Sequence, residues 1–319
     1  MKNYDAILNG EKECNYLAAK KTPAYFDGHE SYWQLWKEHD AALRRKPEEN
    51  VEISLLDLKI EIAERIFHEC HLCEHRCMVD RSKKKGICNV GKASIATEFL
   101  HYGEEAMLVP SHTVFFSGCN FSCVFCQNWD ISQQQKGIYI EPEKLAAIIE
   151  GRGGRNVNWV GGEPTPDLLY ILQVLKYCDA NLPQVWNSNM YCSMETMKLL
   201  EGIIDVYLTD FKYGSDECAH RLSGIEDYWA TVTRNHIIAY SQADMIIRHL
   251  VMPNHVECCS IQVLDWVSKN VPEALVNIMD QYHPDYMASG YAEINRPISE
   301  NEYRIAYEYG KEMNLRILH

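Results

Sequence analysis

The sequence predicts an α/β fold in two parts. A mainly helical, cysteine-containing extension is expected over residues 1–98, and a partial parallel (β/α)6 TIM-type barrel over residues 99–319. Three observations carry this reading. From Thr113 onward, short β-like runs alternate with helix-like stretches, the pattern of a parallel sheet with crossover helices. The distinctive polar motifs of this half fall just after the β-like runs, where a parallel barrel gathers its chemistry. The cysteines concentrate in two groups, one before the first of these runs and one after it.

In chain order, the first residues are irregular, and a helix is expected through Tyr32–Trp36, with Trp33, Trp36 and Leu43 forming a packing face. Residues 51–69 carry a clearer amphipathic helix, with Leu56, Ile60, Ala63, Ile66 and Phe67 on one side. A strand is expected over 93–101. Six β-like runs follow, at 113–117, 157–161, 183–187, 203–209, 245–251 and 274–279. Helices are expected between them, at 142–150, 166–176, 194–201, 228–240 and 260–268, and a closing one at 300–312. No repeat or low-complexity segment is evident.

Composition narrows the function classes. With 46% hydrophobic and 24% charged residues the chain can bury a sizeable core. A formal net charge of −14 opposes broad binding to nucleic acid or anionic membranes, so neither is an expected partner. The first residues lack the apolar core of a signal peptide, and no run reaches the roughly 18 apolar residues of a spanning helix. A cytoplasmic location is therefore expected. In that reducing compartment 13 cysteines are not a disulfide framework, and clustered ones read as metal ligands.

Cys119, Cys123 and Cys126 have the spacing C-x3-C-x2-C on one short loop after the first β-like run. Three thiolates can hold three corners of a [4Fe–4S] cubane, leaving the fourth iron for a ligand that is not protein. A zinc knuckle would need a fourth ligand such as His112. Upstream, Cys70, Cys73, Cys77 and Cys88 supply four thiolates, enough for a closed site. Such a site holds structural zinc or a second iron–sulfur cluster, and spacing alone does not choose.

Past the second run come Gly161, Gly162, Glu163 and Pro164. Two glycines let backbone approach a ligand closely, and carbonyls beside Glu163 can receive an ammonium group. Asn187 and Ser188 follow the third run, Asp210 and Lys212 the fourth, and Arg248 lies in the fifth. Arg248 is suited either to pair a ligand carboxylate or to neutralise a neighbouring acid. His255, Glu257, Cys258 and Cys259 follow the fifth run. Adjacent cysteines are poorly placed to share one metal, and the start of a helix is their expected role.

Together these segments resemble the radical S-adenosylmethionine (SAM) enzymes, and within them homologues of pyruvate formate-lyase activating enzyme. The resemblance rests on the cysteine loop, Gly161–Thr165, Val206–Gly214, Ile247–Pro253, Asn277–Tyr282 and Glu293–Arg296, and covers roughly residues 65–312. It implies a radical SAM barrel whose [4Fe–4S] cluster is held by Cys119, Cys123 and Cys126. It implies SAM bound by Gly161, Gly162, Glu163, Pro164, Asn187, Ser188, Asp210, Lys212 and Arg248. The implied reaction is reductive cleavage of SAM to methionine and a 5′-deoxyadenosyl radical, with no further catalytic residue required for that step. A reductant such as flavodoxin or ferredoxin is the implied partner, and a protein or peptide the implied substrate, as for a glycyl-radical activase. Two other readings stay open: radical modification of another peptide, an RNA or a small metabolite with an auxiliary cluster at Cys70–Cys88, and a non-enzymatic iron–sulfur electron carrier.

Overall fold

The computed structural model describes residues 1–318. Four helices come first: α1 (Lys2–Leu8), α2 (Asn15–Lys21), α3 (Tyr32–Ala42) and α4 (Leu55–His68). Serine caps start the last two. Ser31 and Gln34 in α3, and Ser54 and Asp57 in α4, satisfy each other's backbone N–H groups as capping boxes. α4 buries Leu55, Leu56, Leu58, Ile62, Ala63 and Ile66, whereas Ile60 is only partly covered. In α3 the expected packing face holds for Trp36 and, partly buried, Leu43, but not for Trp33, which is 75% exposed; Leu35, His39 and Ala42 also turn inward.

One eight-stranded sheet follows in sequential order: β1 (Ile95–His101), β2 (Ser111–Phe116), β3 (Val157–Gly161), β4 (Gln184–Ser188), β5 (Val206–Asp210), β6 (Asp244–Leu250), β7 (Leu275–Met279) and β8 (Arg316–Ile317). β1 pairs antiparallel with β2, and every later pair is parallel. Strands β2–β7 are the six expected ones, and they form the partial (β/α)6 barrel. The division expected at residue 98 falls within β1. The two-residue β8 had no recognisable signal.

The intervening helices are α5 (Trp129–Ser132), α6 (Pro142–Arg152), α7 (Leu168–Tyr177), α8 (Met194–Leu200), α9 (Asp216–Ser223), α10 (Tyr228–Gln242), α11 (Ile261–Asn270) and α12 (Glu300–Glu312). A π-helical turn, Val256–Ser260, leads into α11. The expected 260–268 helix therefore starts inside a wider turn than an α-helix has. α9 was not expected. It is mostly polar, with only Ala219, Leu222 and Ser223 buried, so its apolar signal is weak. No helix among the described residues is long and apolar enough to cross a membrane.

Alternate strand residues separate two environments, as the period of two requires. Val185, Val206, Leu208 and Ile246 form a small cluster with Tyr4 of α1 and Leu108 of the β1–β2 loop. Their neighbours Trp186, Tyr207 and Ile247 join the larger core shared with the helices. The same parity carries the small cluster's row on to Asn187, Asp210 and Arg248 at the C-terminal strand ends. These three rows thus pass from apolar residues to polar ones toward the C-terminal ends. The N-terminal end is further closed by Tyr4, whose backbone N–H donates to Asp244 at 2.9 Å and whose hydroxyl accepts from Asn156 at 2.7 Å.

Lys59 of α4 is fully buried, its Nζ 2.8 Å from His39 Nε2 and donating to the Lys198 carbonyl at 3.0 Å. Burial pushes Lys59 down to about 7. Between that value and the ordinary lysine value the unfolded chain binds the extra proton, so this group's contribution to stability grows as pH rises through the window. Denaturant melts at about pH 7 and about pH 9.5 should show a larger gain for the wild type than for Lys59→Met. Equal gains would mean that Lys59 does not titrate in this window.

Candidate active site

The loop after β2 carries Cys119, Cys123 and Cys126, all lining one cavity at the C-terminal ends of the strands. Each sulfur has a polar neighbour from this chain. The Phe121 N–H donates to Cys119 Sγ at 3.3 Å, Ser223 Oγ donates to Cys123 Sγ at 2.9 Å, and Ser132 Oγ lies 3.2 Å from Cys126 Sγ. Burial keeps Cys119 well above the usual thiol range and pushes Cys123 up to about 11, with Lys212 opposing the second shift. A cation beside Cys119 and Cys123 would favour their thiolate forms, as a metal centre does. His112, the alternative fourth ligand, is buried in β2 and spends Nε2 on Glu98 at 2.8 Å. It does not line the cavity.

Gly161 and Gly162 form the wall beside this loop. Gly161 has φ +130°, and a Cβ there would lie 2.2 Å from the Phe116 backbone; at Gly162 it would lie 2.0 Å from the Gly118 carbonyl oxygen. Only glycine permits either approach. Glu163 is buried against the β4 loop. Its Oε1 accepts from Thr165 N, Thr165 Oγ1 and Ser188 Oγ, and its Oε2 from Asn189 N at 2.9 Å. Burial raises its pKa, and those hydrogen bonds hold the rise in check. The carboxylate thus locks two strand-end loops together, and Oε2, which has one of these partners, keeps accepting capacity on the cavity wall. Pro164 does not line the cavity; it caps a 3-10 turn over Thr165–Asp167.

Across the cavity, Asp210 and Arg248 are register partners on β5 and β6. Arg248 Nε donates to Asp210 Oδ1 at 2.9 Å, and Lys212 Nζ to Asp210 Oδ2 at 2.7 Å. Arg248 also donates to Asn187 Oδ1 and lies 3.4 Å from Glu104 Oε2. Burial alone would raise the Asp210 pKa, but Arg248 and Lys212 outweigh it and hold the group down to about 2. Of the two roles open to Arg248, neutralising neighbouring acids is the one seen here. Glu104 had no sequence signal beyond an acidic pair in a connecting loop. It reaches into the barrel, accepting from Asn158 at 3.2 Å.

Similarity to known proteins agrees with this geometry. A model of the radical SAM superfamily matches residues 113–267, which contain the three-cysteine loop and the glycine wall. Residues 113–267 are a radical SAM superfamily domain. It is 48% identical over 303 residues to the uncharacterized protein MJ0674 of Methanocaldococcus jannaschii, covering 90% of this chain and 89% of the relative. Among solved structures it is similar to Streptococcus suis SuiB bound to S-adenosylmethionine, at 17% identity and TM-score 0.46, over 62% of this chain and 47% of SuiB. It is also similar to methylornithine synthase (PylB), at 14% identity and TM-score 0.47, over 99% of this chain and 78% of that one.

Radical SAM proteins use a [4Fe–4S] cluster with SAM and usually draw an electron from a donor such as flavodoxin or ferredoxin. The donor set fits both cofactors: three cysteines lining one cavity, no other cysteine among the described residues lining it, and the glycine wall of Gly161 and Gly162 next to them.

Cys70, Cys73, Cys77 and Cys88 line a second, smaller cavity with the buried Arg81. A Cβ on Gly86 would sit 3.3 Å from the sulfurs of both Cys77 and Cys88, so glycine at this turn leaves them room. The two cysteine loops of this radical SAM chain abut. The Cys119 N–H donates to the Cys88 carbonyl at 3.2 Å, and His75 Nε2 lies 2.7 Å from the Asn120 carbonyl. His71 instead pairs with the Tyr32 hydroxyl at 2.8 Å.

Cys258 and Cys259 lie in the helical turn at the start of α11, as expected, and with Cys218 and His255 their donor atoms all lie within 4.8 Å of one another. The signal was present as His255-x2-Cys258-Cys259, since positions i, i+3 and i+4 share a helix face. The fourth member, Cys218, lies on the unexpected α9.

Gly162→Ala should destabilise the protein by about 2–3 kcal/mol and remove most SAM cleavage, because its Cβ displaces Gly118 and with it the cysteine loop. Gly151→Ala, in α6 with nothing within 4 Å, is the control and should leave both unchanged or slightly improved. Similar melting temperatures and cleavage for the two variants would refute the steric argument.

Proposed function

We propose that this radical SAM enzyme binds its [4Fe–4S] cluster through Cys119, Cys123 and Cys126 and acts on a protein or peptide, as a glycyl-radical activase does. The observation that carries the cofactor half is three thiols converging on one strand-end cavity beside the Gly161–Gly162 wall. When bound, the cluster and SAM supply one-electron cleavage of a carbon–sulfur bond, giving methionine and a 5′-deoxyadenosyl radical that takes hydrogen from the substrate.

The protein's own residues bind, orient and shield. The backbone at Gly161 and Gly162 and the free capacity of Glu163 Oε2 are suited to the methionine ammonium group. Asn187 and Ser188 present polar groups from the β4 end. Lys212 and Arg248 are the cations facing the cavity, and Asp210 already neutralises part of their charge. A ligand carboxylate there must share them with Asp210, which favours orientation over tight binding. Phe121, Phe125, Leu250 and Met279 supply apolar lining that excludes water from a reactive radical.

The activase reading rests on the motif resemblance around residues 206–214 and 247–253. A second reading, radical modification with an auxiliary cluster at Cys70, Cys73, Cys77 and Cys88, is favoured by the direct contact between the two cysteine loops. It makes the N-terminal site part of the electron route.

Anaerobically reconstituted protein with a chemical reductant should convert SAM to 5′-deoxyadenosine and methionine, and Cys123→Ala should abolish this. Undiminished cleavage by that variant would sink the cofactor assignment. A glycyl-radical signal by electron paramagnetic resonance on a glycyl radical enzyme encoded beside this chain supports the activase reading; absence of any such signal with active SAM cleavage rejects it.

Cys73→Ala separates the two roles of the N-terminal site. Retained SAM cleavage with the iron of the first cluster in place means a structural site, whereas cleavage lost with that iron still present means an electron relay.

A further inference from the structure

A third group of metal-binding side chains stands apart from both cysteine loops. Cys218 lies on α9, His255 just before the π-helical turn, and Cys258 and Cys259 within that turn. Their donor atoms form a compact figure. Cys218 Sγ is 3.8 Å from Cys258 Sγ, which is 3.9 Å from Cys259 Sγ. His255 Nδ1 lies 3.6 Å from Cys218 Sγ, 3.3 Å from Cys258 Sγ and 3.8 Å from Cys259 Sγ. A tetrahedral zinc ion with ordinary bond lengths requires sulfur–sulfur edges of about 3.8 Å and nitrogen–sulfur edges of about 3.6 Å. Five of the tetrahedron's six edges average close to those values, and the sixth, between Cys218 Sγ and Cys259 Sγ, is within 4.8 Å.

We propose that Cys218, His255, Cys258 and Cys259 form a closed, structural Cys3His site for one zinc-like divalent ion. All four positions of the tetrahedron are protein donors, which leaves none for water or substrate and makes the site structural rather than catalytic. Two further features are built to hold the donors together. Gly214 lets the loop between β5 and α9 close on the π turn, since a Cβ there would lie 2.5 Å from the Cys258 carbonyl oxygen and 2.9 Å from Cys259 Cα. The π turn brings the His255 carbonyl within reach of both Cys259 N–H and Ser260 N–H, at 2.9 and 3.2 Å.

The ion would tie the start of α9 to the chain after β6. The other end of α9 supports the three-cysteine loop: the carbonyls of Leu222 and Ser223 accept from the N–H groups of Val124 and Ser122, and Ser223 Oγ reaches Cys123. An ion at one end of α9 therefore steadies the hydrogen bonds at the other.

Zinc content and cysteine labelling test this directly. Full-length protein produced with zinc should contain one more equivalent of zinc than its Cys258→Ser and Cys218→Ser variants, whatever metal Cys70–Cys88 holds. Cys178→Ser, at a buried cysteine outside the group, should match the wild type. Cys258 is exposed, so its alkylation needs no unfolding. In wild-type protein, zinc should slow that alkylation at least tenfold, and a chelator should restore it. Equal zinc in wild type and Cys258→Ser, or a labelling rate indifferent to zinc in the wild type, would overturn the proposal. The labelling arm needs no variant and stands even where a substitution prevents folding.

Discussion

Close backbone approach at three glycines is the constraint on which the site depends. Gly118, with φ +92°, sits where a Cβ would lie 2.8 Å from the Cys88 carbonyl oxygen; Gly161 meets the Phe116 backbone, and Gly162 meets Gly118 itself. The loop that carries Cys119, Cys123 and Cys126 is thus clamped between the N-terminal cysteine loop and the end of β3. At Gly118 the Val90 side chain occupies the place a Cβ would take. This close packing places a short loop whose three cysteines line one cavity. It also means that the N-terminal extension is part of the site's frame and not an appendage to it.

Electrostatics in the barrel follow from the parity of the strands. On β4, β5 and β6 the inward row passes from Val185, Val206, Leu208 and Ile246 to Asn187, Asp210 and Arg248, so charge is placed in the half that opens to the cavity. Asp210 compensates Lys212 and Arg248 there, and Glu104 approaches Arg248 from the β1–β2 loop. Each charge has a partner before any ligand arrives, the condition under which buried ions are tolerated. Glu163 follows another logic: its carboxylate is consumed mainly in joining the β3 and β4 loops, through Thr165, Ser188 and Asn189.

Much of the barrel could be read in advance because its signals are local. Each of β2–β7 is a short apolar run, and each long helix carries its own periodicity or cap, as Ser299 and Glu302 cap α12. The three-cysteine loop and the glycine pair are likewise contiguous motifs. Elements without a local signal were missed. α9 buries few apolar residues, β8 is two residues long, and Glu104 sits in an ordinary-looking loop. Trp33 misled because its helical spacing was right while its face of α3 meets no partner.

The sequence by itself determined the strand–helix order, the two cysteine groups and the placing of Gly161–Glu163 one β/α unit after the first loop. Those are properties of neighbouring residues, set by periodicity and ligand spacing. Only the tertiary structure decided which distant residues meet. It brought Cys88 onto Cys119, engaged Arg248 with Asp210, and gathered Cys218 with His255, Cys258 and Cys259. Contacts of this kind join residues many positions apart through the packing of whole elements, and no short-range pattern encodes them.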